Sequence, residues 1–195
     1  MMTLKDRIIH ESLRQFSSKG FMSTSISDIL EAAGASKGGL YNHFKSKEDL
    51  FYAALSAARK IWRQRNLAGL ERLPRPLDKL KQILHNYRDR YLADAENLPG
   101  GCVFVALAVE LHDQQPHLAQ AVHEGFERFK GLIKRLLDEE QAAGNLKEGI
   151  DTGMVAEVIF SGLLGACVSY SADKSPEHLN RSIQSLLDFL SMASN

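Results

Sequence analysis

The chain has 195 residues, 44% of them hydrophobic and 25% charged, with equal numbers of basic and acidic side chains. That suffices for a sizeable core in one large or two small domains, and the lack of any run of 18 apolar residues leaves no expected membrane span. Two cysteines, Cys102 and Cys167, make no disulfide framework, and the charged N-terminus has no apolar signal core, so a cytoplasmic setting is expected. The zero net charge hides an asymmetry. Residues 1–72 carry 12 Lys and Arg against 7 Asp and Glu, and residues 73–195 carry 12 against 17. A basic head facing nucleic acid on an acidic body has this distribution.

Leu4, Ile8, Leu13 and Phe16 share one face of a first predicted helix, which Lys19-Gly20 ends; Phe21 is expected to pin that helix onto the helix-turn-helix. The next stretch organises the chain. Thr24 to Asp49 reads TSISDILEAAGASKGGLYNHFKSKED. Ser25-x-x-Asp28 caps one short helix, Gly34 turns the chain, Ser36 caps a second helix over Lys37–Phe44, and Ser46-x-x-Asp49 caps a third. Helix, glycine-containing turn, helix is the helix-turn-helix pattern. Its second helix is poorly built for stability, since Gly38 and Gly39 each cost roughly 1 kcal/mol against alanine. Only Leu40 and Phe44 can face a core. Two glycines on the outer face would let something approach the backbone, and Lys37, Tyr41, Asn42 and His43 suit phosphates and base edges. Thr24 and Ser25, at a helix N-terminus, can receive a phosphate or simply cap the helix.

A long helix runs from Lys47 to about Leu70, and Leu73-Pro74-Arg75-Pro76 then breaks the chain. The expected division is a DNA-binding domain over 1–47, a connecting helix over 48–72 and a body over 73–195. The body reads as all helix: 77–95, a short apolar segment CVFVALAVEL over 102–111 for which a strand stays open, Pro116 to Gln141, 152–172 and 176–192. Gly162 and Gly165 allow close helix approach. A two-fold partner offering the same pair would make a four-helix bundle, with Ile159, Leu163, Cys167, Ile183, Leu186 and Leu190 at the interface; the alternative is that both close the monomer core.

The head, from Ile8 through Leu55, resembles the TetR family of bacterial transcriptional regulators, in the run FSSKGFMSTSISDILEAAGASKGGLYNHFKSKEDLF. The resemblance implies an all-α fold of about nine helices, a three-helix helix-turn-helix head on a helical ligand-binding and dimerisation body, a homodimer, and repression relieved by a small molecule. It also implies that Thr24, Ser25, Ser36, Tyr41, His43 and Lys47 hold phosphates while Lys37, Gly38, Gly39 and Asn42 lie along base edges. Many relatives carry an aromatic residue where Asn42 stands, which makes Asn42 a candidate adenine reader. Gly101-Cys102 leading into an apolar helix ending at Glu110 is similar to one subgroup's ligand domain.

An effector pocket is expected among the body helices, with Tyr87, Tyr91, Phe104, Leu107, Phe126 and Phe160 as candidate lining. Cys102, at a helix start where the dipole favours a thiolate, is either a sensor of electrophiles or oxidants or a buried structural thiol. His112, Asp113, His117 and His123 have no metal-binding spacing. No nucleophile elbow, phosphate loop or useful carboxylate pair is present, so neither an enzyme nor a cofactor is expected. The partners expected are double-stranded operator DNA, a small-molecule effector and a second copy of the chain, with no membrane. The rival reading is a helical protein-interaction module without specific DNA binding.

Overall fold

The computed structural model describes residues 2–195, and among them the secondary structure is helical apart from one isolated bridge between Leu146 and Ser194. Nine α-helices stand in order among the described residues: α1 Leu4–Lys19, α2 Ile26–Ala33, α3 Lys37–Tyr41, α4 Lys47–Asn66, α5 Pro76–Asn86, α6 Val103–Leu111, α7 Pro116–Ala142, α8 Thr152–Asp173 and α9 Pro176–Met192. A 3-10 turn, Leu70–Arg72, precedes α5, and one wide π turn, Tyr87–Tyr91, continues it. The expectation of an all-α chain holds, and the segment left open between helix and strand is α6.

The caps act as their spacing demands. The hydroxyls of Thr3 and Ser25 accept from the amides of Asp6 and Asp28, whose carboxylates return the bond to the cap amides. Ser36 Oγ accepts from Gly39 N at 3.0 Å. Gly34 ends α2 at φ 57°, the left-handed conformation that favours glycine. The one boundary that differs is α3, which stops at Tyr41 rather than Phe44 because the amide of His43 tightens back onto the Leu40 carbonyl.

The chain divides into two compact units. One holds residues up to Trp62 together with Asp94–His123, so that residues 94–123, beyond the break at Leu73–Pro76, pack with α1 to α4. Its core includes Ile8, Leu13, Ile29, Leu40 and Leu50, and a trio of rings at 5.3–6.5 Å formed by Phe16, Phe21 and Phe51. Phe21 is a core residue as expected, but the rings it joins are those of α1 and α4 rather than of the helix-turn-helix pair.

The other unit holds Arg63–Ala93 and Glu124–Asn195. Within it α8 packs along α9, and a Cβ at Gly162 would lie 2.6 Å from Leu186 Cδ2, so the glycine leaves room for the Leu186 side chain. The start of α5 is held by Glu140. Its fully buried carboxylate accepts from Arg75 Nη2 at 2.6 Å and from the Leu77 amide at 3.1 Å. Burial raises the Glu140 pKa, but the Arg75 and Leu77 bonds outweigh it and leave it below the usual glutamate value. By length and composition alone α8 could cross a membrane, although no apolar run in the sequence suggests it. Its Val155, Ala156, Ile159, Phe160, Leu163, Ala166 and Cys167 are buried, as in any core helix.

Candidate nucleic-acid interface

The second helix of the turn is anchored from one side only. Leu40 is fully buried and Phe44 nearly so, while Ser36, Lys37, Gly38, Tyr41, Asn42 and His43 are exposed. A Cβ built at Gly38 meets open space. The backbone of α3 is therefore bare at that point, flanked by an ammonium, a phenol, an amide and an imidazole. These are the donors that phosphates and base edges accept from. Ser25 is also exposed, at the N-terminus of α2.

Three of the expected residues are less open to solvent than the rest. Gly39 is half-buried and faces α1, where a Cβ would lie 3.1 Å from Leu4 Cδ2 and 3.3 Å from Ser36 Oγ. Its lack of a side chain serves the packing of α3 on the start of α1, not the outer face. The Thr24 side chain is buried, and its hydroxyl donates to the Gly20 carbonyl at 2.6 Å. That group is committed to the turn before α2. Lys47 is half-buried with its ammonium 4.3 Å from the Phe21 ring centroid. Desolvation lowers its pKa, against the attraction of Glu110 and Asp28.

The sequence assigns no role to two side chains that the structure places at this site. Lys5, on the first turn of α1, is exposed and lies 5.9 Å from the Phe44 ring, which brings a further cation to the α3 side of the unit. Glu110, near the end of α6, accepts from the amides of Phe21 at 2.6 Å and Met22 at 2.9 Å. A carboxylate in the otherwise apolar CVFVALAVEL was the available signal, because a charge on such a helix must find partners.

The candidate effector residues divide between the units. Tyr87, Tyr91, Phe126 and Phe160 belong to the second. There Tyr87 stacks on Phe129 at 5.8 Å, and Phe160 meets Phe129 at 6.1 Å and Phe126 at 5.7 Å. Phe129 completes this chain of rings; its spacing of three from Phe126 could have found it. Cys102, Phe104 and Leu107 belong to the first unit and are buried, with Cys102 at the N-cap of α6 and 3% exposed. His117 pairs with Glu48 at 3.3 Å, and His112 lies beside Asp113.

The residues expected at a dimer interface, Ile159, Leu163, Cys167, Ile183, Leu186 and Leu190, are all buried within the single chain. They hold α8 and α9 to their own unit. The exposed face of α8 is another one, with Met154, Val158, Ser161, Gly165 and Val168 at helical spacing and open space at Gly165.

Residues 8–54 match the family model described as bacterial regulatory proteins, tetR family, and residues 76–186 match that described as tetracyclin repressor-like, C-terminal domain. The chain is 26% identical over 188 residues to the HTH-type transcriptional regulator LmrA of Bacillus subtilis, covering 94% of this chain and 96% of LmrA. It is 28% identical over 156 residues to the HTH-type transcriptional regulator AcrR of Shigella flexneri, covering 73% and 68%. In structure it resembles a TetR transcriptional regulator from Chloroflexus aurantiacus, with a TM-score of 0.87, 27% identity and coverage of 98% and 96%.

Proposed function

This chain belongs to the TetR family of DNA-binding transcriptional regulators, which are not enzymes, and on that premise we propose that it represses transcription from a near-palindromic operator as a homodimer and is released by a small-molecule or thiol-reactive effector. The observation that carries the proposal is the face of α3, bare at Gly38 and ringed by Lys37, Tyr41 and Asn42. Each protomer lays that face into the major groove. Two copies then read half-sites about 34–36 Å apart or a little more, the spacing of successive grooves on one side of a duplex. Ser25, Ser36, Tyr41, His43 and Lys47 hold phosphates, and Asn42 pairs with an adenine edge. Residues 1–47 form the DNA-binding domain, 48–72 the connecting helix, and 73–195 the domain that takes the effector and the partner.

The exposed stripe of α8 is the surface proposed for that partner, because Met154, Val158 and Val168 are apolar and Gly165 leaves room for a second helix. The effector acts by binding one head spacing more tightly than another. The linked rings of Tyr87, Phe129, Phe160 and Phe126 suit an apolar compound, and Cys102 suits an electrophile that reaches a buried thiol. The protein works in the cytoplasm, where its DNA lies.

A gel-shift and footprint on the DNA upstream of its own coding region tests the reading. Protection of two half-sites that outcompetes random duplex is expected. No preference over random duplex, on that region or in a selection from random sequence, would favour the interaction-module reading.

A further inference from the structure

The turn between α1 and α2 is held from outside the head, by a carboxylate 89 residues away from Phe21. Gly20 ends α1 at φ 81°, and the next two amides, of Phe21 and Met22, point together at Glu110, donating at 2.6 and 2.9 Å to its two oxygens. Successive N–H groups after a residue of positive φ make a small anion-binding concavity, and Glu110 fills it. A Cβ at Gly20 would overlap the carboxylate. The same turn carries the Phe21 ring between Phe16 and Phe51, holds Lys47 over that ring, and leads in three residues to Ser25 at the start of α2. The segment that carries Glu110 is fixed to α1 at two more places. Arg14 donates to the Glu96 carbonyl, and the Gly100 amide donates to Ser17 Oγ at 3.0 Å, with no room for a Cβ at Gly100.

We infer that Glu110 is a positioning residue for DNA binding: its carboxylate fixes the α1–α2 turn so that Ser25 and Lys47 meet the phosphates. This rests on the reading of α2 and α3 as the DNA-contacting helices. A glutamine fits the space but presents an amide N–H to one of the two donors, so in the same placement it accepts only one of the two bonds, and without charge assistance. An aspartate keeps the charge but withdraws it by one methylene. Neither change touches a surface residue of the head.

The test uses full-length protein carrying Glu110→Gln, with Glu110→Asp as a second variant and the exposed neighbour Val109→Ala as control. Hydrogen exchange at the Phe21 and Met22 amides is read in the free protein. Affinity for a random 30-base-pair duplex and for the upstream region is read across a salt series at a temperature where every variant is folded. Both Glu110 variants should exchange those amides about tenfold faster, as loss of a charge-assisted bond allows. They should bind both duplexes about tenfold more weakly, with a salt slope smaller by about 0.9 for each phosphate that the protein no longer neutralises. Val109→Ala should match the parent in all three. Parental exchange at both amides in the variants would show that Glu110 does not hold the turn. Faster exchange with unchanged affinity, or weaker affinity with an unchanged salt slope, would reduce it to a stabilising interaction. Failure of the parent protein to prefer any duplex would overturn the operator proposal alone, because the exchange and the random-duplex slope are still read.

Discussion

Gly38→Ala separates what the protein needs to fold from what it needs to bind. Alanine is better than glycine in a helix by about 1 kcal/mol, and near the first turn of a five-residue helix about half of that is expected. The new methyl meets nothing in the protein. For a chain of this size about 0.5 kcal/mol raises Tm by about 1–2 °C. On DNA the same methyl stands between the α3 backbone and the groove. Backing the helix off by even about 1 Å stretches a hydrogen bond of about 2.9 Å beyond reach and forfeits up to half of each dispersion contact. Loss of one base pairing per protomer, at about 1–3 kcal/mol, weakens binding at least tenfold. Fluorescence anisotropy on an operator duplex and calorimetric melting of the free protein measure the two effects. A variant with raised Tm and parental affinity would refute the claim that the duplex approaches α3 at Gly38. Gly39→Ala is the internal control. Its methyl must displace Leu4 and Ser36 Oγ, so the helix gain is offset and no rise in Tm is expected.

Glu140→Gln should destabilise the protein by about 2 kcal/mol, since it leaves the Leu77 amide and Arg75 with a poorer acceptor. The folded-state pKa of Glu140 is depressed, so its contribution is complete above the ordinary glutamate range and is lost as pH falls through and below it. Denaturant titrations from about pH 7 to pH 3 should show a shallower acid loss in the variant. Val158→Glu or Val168→Glu, on the exposed face of α8, should yield monomers by sedimentation with the Tm of a folded chain. Leu163→Ala, in the buried face, should instead cost about 2–5 kcal/mol, and a dimer that survives both glutamates would refute the proposed surface. Cys102, 3% exposed, should react with iodoacetamide far more slowly than in urea. A rate equal to that of the unfolded chain would contradict its burial, and a loss of DNA affinity on alkylation that persists in Cys102→Ser would remove it as the sensor.

Local chemistry is legible in the sequence, and distant pairing is not. Ser25 with Asp28, Gly34, and Ser36 with Gly39 are interactions over three residues or fewer, so spacing predicts the helix-turn-helix and its turn. Leu40 and Phe44 face the core as their spacing requires. Gly39 reads as outward-facing because its neighbour Leu4 lies 35 residues earlier, and a five-residue helix gives periodicity too little length to orient its faces. Thr24 looks like a free hydroxyl until the Gly20 carbonyl turns back to meet it. In α8 the difficulty is of another kind. A helix apolar nearly all round does not declare which stripe its own chain covers, and the residues expected to meet a partner are the ones α9 and its neighbours take.

α1 has 16 residues, about 24 Å of stiff rod. At one end Ser17 sits against Gly100 with no slack for even a methyl group; at the other, Leu4 abuts Gly39 of α3. Packed protein does not compress over such a span. On the proposed reading of α3, a wedge driven in beside Gly100 need not bend anything to be felt at the duplex: it would push a rod whose far tip already touches α3.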